Sequence, residues 1–142
     1  MQFIPYLGFN GNCREALEYY AKTLGAQLEL MEFGGSPAEE HVPASEKHQI
    51  LHGNLTLNGN MILMASDAGG MPFEKMQGMQ VAIVLDDVGE GERIFKALSD
   101  QGSVTMPYEK TFWAERFGMC TDRFGTPWMI NAGMPVEEIA GK

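Results

Sequence analysis

Hydrophobic and polar positions along this chain follow one order twice. The stretch FIPYLGFN (2–9) alternates weakly, as a strand does. Ala16, Leu17, Tyr20 and Leu24 then recur at helical spacing. Asn12 stands in front of them as an N-cap, Glu15 follows it at the capping-box distance, and Gly25 suits the position just past the helix end. AQLELMEF (26–33) reads as a second strand. HQILHGNLTL (48–57) and MILMAS (61–66) read as a third and fourth, joined by Asn58-Gly59, the pair that a type I′ hairpin turn favours. Past the middle the order returns. Residues 79–86 form a strand, Asp87 caps a helix with Glu90 at the capping-box position, and Ile94, Phe95 and Leu98 give its apolar stripe. Gly102 ends that helix, and strands follow near 103–109, 111–121 and 127–132, with the last turn at Phe124-Gly125.

This is a βαβββ module used twice, an α+β fold of paired modules forming a cupped mixed sheet. The expected division is one domain over 1–142, with a first module at 1–66, a linker at 67–78, a second module at 79–133 and a surface tail with a short helical tendency at 134–142. Residues 34–47 combine Gly, Pro, Ser and charges without an apolar period, so they read as a loop, long enough to be a lid or simply a mobile excursion. Two curved half-sheets leave a concave space between them, which is the expected place for function. Their strand edges must be paired or covered, which favours a homodimer.

Composition narrows the partners. The 142 residues carry a net charge of −9, which repels phosphate backbones and anionic bilayers, so neither nucleic acid nor membrane is an expected partner. No apolar run reaches spanning length and no leader pattern is present, so the expectation is a soluble cytoplasmic protein. Cys13 and Cys120 make neither a disulfide framework nor a zinc cluster. Cys13 falls in the first turn of the first helix, where the dipole lowers a thiol pKa, and it reads either as a reactive thiol or as a small structural residue. The 11 methionines are unusually many and suit irregular apolar cavities or adaptable surfaces.

Two segments carry candidate chemistry. By simple alternation Ile50, His52, Asn54 and Thr56 share one strand face, opposite Leu51, Leu55 and Leu57. If the polar face lines the cup, His52 is the acid–base group. His48 shares that face, but four residues along a strand is about 13 Å, too far to ligate one metal with His52. The second segment is FWAERFG (112–118). Read as a strand, it makes Trp113 and Phe117 an apolar wall with Glu115 on their face. Arg116 lies on the other face, able to bind a carboxylate or phosphonate if it turns inward. Asp122 and Arg123 read as turn chemistry, and Trp128 as core.

The segments FIPYLGFNGNCREALEYYAKTLGA, ILHGNLTLNGNMILMASD and FWAERFGMCTDRFGTPWMI, with the helix after LDDV, resemble the PhnB-like branch of the vicinal-oxygen-chelate superfamily. That superfamily includes glyoxalase I, bleomycin-resistance proteins and extradiol dioxygenases. The resemblance covers nearly the whole chain and implies a glyoxalase/bleomycin-resistance-like cup, usually dimeric. It also implies a divalent-metal site with one ligand from each of four strands, at positions that fall near Pro5, Leu63 or Met64, Gln80 and Met129. Pro, Leu and Met are poor ligands for a hard or borderline divalent ion, so no cofactor is expected and a divalent metal is a minor alternative. The branch also carries a demethylubiquinone methyltransferase label. A Rossmann-like methyltransferase needs a glycine-rich strand-to-helix loop, and Gly89-Glu90-Gly91 lacks that spacing. The branch usually has a basic or polar pair before the last-strand Trp, where this chain has Thr126-Pro127.

Three readings follow. The first is a metal-free small-molecule binder, with Gln80, Trp113, Glu115, Arg116, Phe117 and Met129 as ligand-binding residues. The second is a lyase, isomerase or transferase that uses His52, or a metal held by His52, Gln80 and Glu115. The third is a dimeric scaffold without a ligand.

Overall fold

The computed structural model describes residues 1–133, so the expected tail lies outside the described residues. Two compact units divide the chain, the first Met1–Met76 and the second beginning at Gln77. In the first, β1 (Tyr6–Phe9), α1 (Cys13–Leu24), β2 (Gln27–Glu32), β3 (Ile50–Leu57) and β4 (Asn60–Asp67) follow in order. In the second, β5 (Val81–Leu85), α2 (Val88–Ser99), β6 (Ser103–Glu109), β7 (Arg116–Thr121) and β8 (Pro127–Ala132) repeat that order. Each unit has one four-stranded sheet, β1-β4-β3-β2 or β5-β8-β7-β6, in which the first pair is parallel and the others antiparallel. The α+β class and the doubled βαβββ order are as the periodicity predicts.

In each unit the helix covers one sheet face. Leu17 of α1 lies where a side chain on Gly53 would be, which marks the α1 side of β3. Leu7, Phe9, Leu17, Tyr20, Ile50, Leu55 and Leu63 are buried in the first unit. Phe95 crowds Gly118 and marks the α2 side of β7. Leu98, Cys120, Trp128 and Ile130 are buried in the second unit.

Several boundaries differ from the sequence reading, each for a local reason. β1 starts at Tyr6 rather than residue 2, because Pro5 has no N–H to donate; its carbonyl still accepts from Met64 N at 3.0 Å. Asn12 makes no side-chain cap bond. The start of α1 is held by Asp67, whose Oδ1 accepts from Gly11 N (2.7 Å) and Cys13 N (3.1 Å) while Oδ2 accepts from Ile50 N (2.8 Å). Half of the second capping box forms: Asp87 Oδ1 accepts from Glu90 N at 3.0 Å, but the Glu90 carboxylate turns to Arg93 at 2.5 Å. After α2 the left-handed residue is Gln101 (φ 60°). Gly102 is needed for a different reason: a Cβ there would sit 2.3 Å from the Thr121 carbonyl oxygen. β7 begins at Arg116 rather than near residue 111, because residues 111–115 close a turn in which Thr111 N donates to Ala114 O at 3.2 Å. Asn58 (φ 51°) and Gly59 (φ 80°) both adopt positive φ, as a type I′ turn requires.

Candidate functional site

In each unit the sheet face opposite the helix carries the side chains that no helix covers. On the first unit's sheet, Tyr6, Met64, Asn54 and Glu29 stand in register across β1, β4, β3 and β2. His52 pairs with Met31 on the same face and is half-buried. Its Nδ1 lies 3.4 Å from the Tyr6 hydroxyl, with ring centroids 5.9 Å apart. At that distance a hydroxyl and an imidazole can share one long hydrogen bond, whose donor is set by the imidazole tautomer.

Simple alternation misplaces Ile50. Met31 pairs with His52 but Glu32 pairs with Ile50, so Leu51 is an extra residue on β3. That bulge turns Ile50 to the helix side, where it is fully buried and its N–H meets Asp67. Ile50 and His52 therefore do not share a face. His48 precedes the strand and is exposed. Beside the bulge, a cavity of about 520 Å³ is lined by Phe33, His41, Leu51, Ser66, Gly70 and Met71. Its floor depends on Gly69, because a Cβ there would sit 2.3 Å from Phe33 Cζ.

On the second unit's sheet, the uncovered face carries two rows. Val84, Asn131, Phe117 and Glu109 make one; Ala82, Met129, Met119 and Met106 make the other. Trp113 stands edge-on to Phe117 at 5.2 Å and to Phe112 at 4.7 Å. Phe117 is buried, while Trp113 and Met129 are half-buried. Of the residues named from sequence, Trp113, Phe117 and Met129 thus belong to one surface. Glu115 does not share it by strand alternation, because the turn at 111–115 breaks the alternation. Glu115 instead packs against Gly133, where a Cβ would meet its own Cβ at 2.9 Å. Arg116 pairs with Ala132, whose Cβ lies against Gly91 of α2, so it starts on the helix side of the sheet; it donates to the Glu115 carbonyl at 2.7 Å. Gln80 precedes β5 and is exposed. Met119 and Met106 were missed. The alternation of Phe117 and Met119 points to Met119, but Met106 depends on bulges in β6 that no sequence pattern marks. Tyr6 was also missed; it becomes visible only once β1 lies beside β4.

The divalent-metal positions can be checked against this geometry. Leu63 is buried on the helix side, Pro5 uses its carbonyl in the sheet, and Met64 and Met129 offer thioethers. That donor set does not fit a hard or borderline divalent ion. Among the described residues no three His, Cys, Asp or Glu side chains converge.

The Cys13 thiol is buried and its pKa is pushed up to about 12, first by burial and then by the charge of Asp67, against a smaller lowering by Arg14. Burial likewise raises Cys120 to about 11. Burial and a raised pKa both disfavour the thiolate, which supports the structural reading of Cys13 over the reactive one. Neither thiol should react with an aromatic disulfide reagent in the native protein, and both should react in denaturant. Rapid labelling of either thiol at pH 8 without denaturant would contradict this. Below pH 9.0 both states keep the Cys13 proton. Above it the unfolded chain releases the proton first, so stability should fall as pH rises from 9.0 toward about 12. A urea series across that range in wild type and Cys13→Ala checks the sign, because the variant should lose part of the alkaline slope.

Comparison with known proteins bears on the same frame. The family model described as 3-demethylubiquinone-9 3-methyltransferase matches residues 1–131. Protein YjdN of Escherichia coli (strain K12) is 42% identical, over 92% of this chain and 95% of that protein. The crystal structure of protein PA1353 from Pseudomonas aeruginosa is 46% identical with a TM-score of 0.84, over 93% of this chain and 97% of that one. A glyoxalase/bleomycin resistance protein/dioxygenase family enzyme from Burkholderia phytofirmans PsJN shares the fold at 10% identity and a TM-score of 0.59, over 91% of this chain and 97% of that one.

Proposed function

From the premise that the chain belongs to the PhnB-like, 3-demethylubiquinone-9 3-methyltransferase-described family, with a fold of the glyoxalase/bleomycin-resistance/dioxygenase superfamily, we propose that it binds a small organic molecule without a divalent metal. The observation that carries this is the uncovered face of the second unit, where Trp113 and Phe117 form an edge-on aromatic pair beside the half-buried Met129. Aromatic rings give large contact area and thioethers adapt to shape, which suits a flat, largely apolar ligand. The protein works in the cytoplasm, and no described helix is long and apolar enough to cross a membrane. A second copy of the chain covers exposed strand edges in a homodimer.

The family description names a methyltransferase. Both strand-to-helix joints here are already occupied by carboxylates: Asp67 takes Gly11 N and Cys13 N, and Asp87 takes Glu90 N. At each joint a carboxylate thus takes donors that a glycine-rich nucleotide loop would turn toward its ligand.

The test is a thermal-shift screen of aromatic and phosphonate compounds, followed by titration of a hit against Trp113→Ala. Loss of the side chain should weaken binding by about 1–2 kcal/mol, close to tenfold. A panel that leaves the melting point unmoved would support the scaffold reading instead. The enzymatic reading rests on the Tyr6–His52 pair. If it holds, His52→Gln should abolish turnover of a hit and leave its affinity nearly unchanged.

A further inference from the structure

The second unit's sheet holds three thioethers side by side on its uncovered face. Met106 of β6 pairs directly with Met119 of β7, which pairs directly with Met129 of β8. Directly opposed residues on antiparallel strands point to the same face, with Cβ atoms about 4.5–5.5 Å apart. An extra residue in β6 brings Met106 into this row. Val104 pairs with Cys120 on the helix side, and simple alternation would keep Met106 there too. The register shift between Val104 and Met106 turns it to the side of Met119. Met106 is 40% exposed, and Met119 and Met129 are half-buried, so all three residues keep some surface open.

The row contains no hard donor. Ala82 continues it beyond Met129, and the flanking rows bring Phe117, Asn131 and the Glu109 carboxylate on one side and Thr121, Pro127 and Ser103 on the other. Three neutral thioethers on flexible stems have little affinity for Mg²⁺, Mn²⁺ or Zn²⁺, but they are the donors that soft monovalent ions select. Three rotatable bonds in each methionine stem let the outer pair turn toward Met119. The protein's net charge of −9 favours any cation, and neutral ligands leave the choice among cations to softness. Cys120 stands on the opposite face, buried beside Trp128, and is no part of the row.

We infer that Met106, Met119 and Met129 form a trigonal thioether site for a soft monovalent cation, Cu⁺ or its redox-inert counterpart Ag⁺. This goes beyond the proposed organic ligand and does not rest on it.

The experiment is titration of the full-length protein with Ag⁺ in chloride-free buffer, followed through ¹³C-labelled methionine methyl groups. The methyl resonances of Met106, Met119 and Met129 should shift together and saturate at one ion per chain, while those of Met31, Met71 and Met79 stay in place. Met119→Leu, which nearly conserves volume, should weaken Cu⁺ in anaerobic competition with bicinchoninate by at least about 10–100-fold, the loss seen when a group that merely supports a ligand is removed. Equal shifts at all exposed methionines would overturn the site, and so would unchanged Cu⁺ affinity in Met119→Leu. The methyl readout uses the unaltered row, so a variant that failed to fold would not remove the test. It also separates the thiols, since Ag⁺ held by Cys13 or Cys120 would not move the three methyl resonances together. An aromatic compound that binds at Trp113 while Ag⁺ leaves the row unmoved would sink this inference and keep the organic-ligand reading.

Discussion

Asp67→Ala should destabilise the protein by about 3–5 kcal/mol, because it removes one buried carboxylate from three backbone donors. Asp67 is 5% exposed, and its carboxylate holds Gly11 N, Cys13 N and Ile50 N, which come from the start of α1 and the start of β3. Hydrogen bonds to a charged acceptor contribute about 1.5–3 kcal/mol each, and bonds that share one acceptor are not additive. Asp67→Asn keeps one acceptor oxygen and should lose about half as much. Asn12→Ala is the control. Its side chain makes no cap bond, so the change should stay within about 0.5 kcal/mol. Urea unfolding of the three variants decides the matter. A larger loss from Asn12→Ala than from Asp67→Ala would return the cap to the position that the sequence pattern picks.

The second large effect belongs to Asp122. Its Oδ1 accepts from Phe124 N and Thr126 N, both at 2.9 Å, and its Oδ2 accepts from the Trp128 indole Nε1 at 2.8 Å. Asp122 is 5% exposed and Trp128 2%, so removing the carboxylate strands an indole N–H in the core as well as two turn donors. Asp122→Ala should therefore cost about 3–5 kcal/mol and alter the emission of the buried tryptophan in the fraction that stays folded. Trp128→Phe is the companion measurement. In its background Asp122→Ala should cost less, since one of the three donors is already gone, and the difference between the two backgrounds gives the indole–carboxylate coupling. Equal losses in both backgrounds would mean that the carboxylate serves only the turn.

The two aspartates show where residue patterns lose resolution. Asp122 lies in a stretch that reads as a turn, and turn chemistry is part of what it does. Nothing along the chain predicts that its other oxygen meets Trp128. For Asp67 the local pattern points elsewhere: Asn12 and Glu15 have the spacing of a capping box, yet the acceptor arrives from a strand far along the chain. Capping patterns describe the best local partner, and a buried carboxylate delivered by a neighbouring strand outcompetes it. The site behaves the same way. Trp113 and Phe117 do meet edge-on, but through the turn that carries Trp113 and not through the strand alternation that the sequence suggests. Glu115 was not legible, because strand alternation was assumed through a segment that turns.

By itself the sequence determined the two βαβββ units, because helical and strand periodicities are properties of neighbouring positions and Asn58-Gly59 dictates its own hairpin. The unsuitability of Pro5, Leu63, Met64 and Met129 for a hard divalent ion was equally readable, since it follows from donor chemistry alone. Tertiary structure decided which face each side chain occupies beyond a bulge. One extra residue at Leu51 sends Ile50 into the core and leaves His52 beside Tyr6, and one in β6 sets Met106 beside Met119. A bulge is created by the pairing of two strands, and a single inserted residue reverses every face that follows it, so strand partners must be known before the faces are.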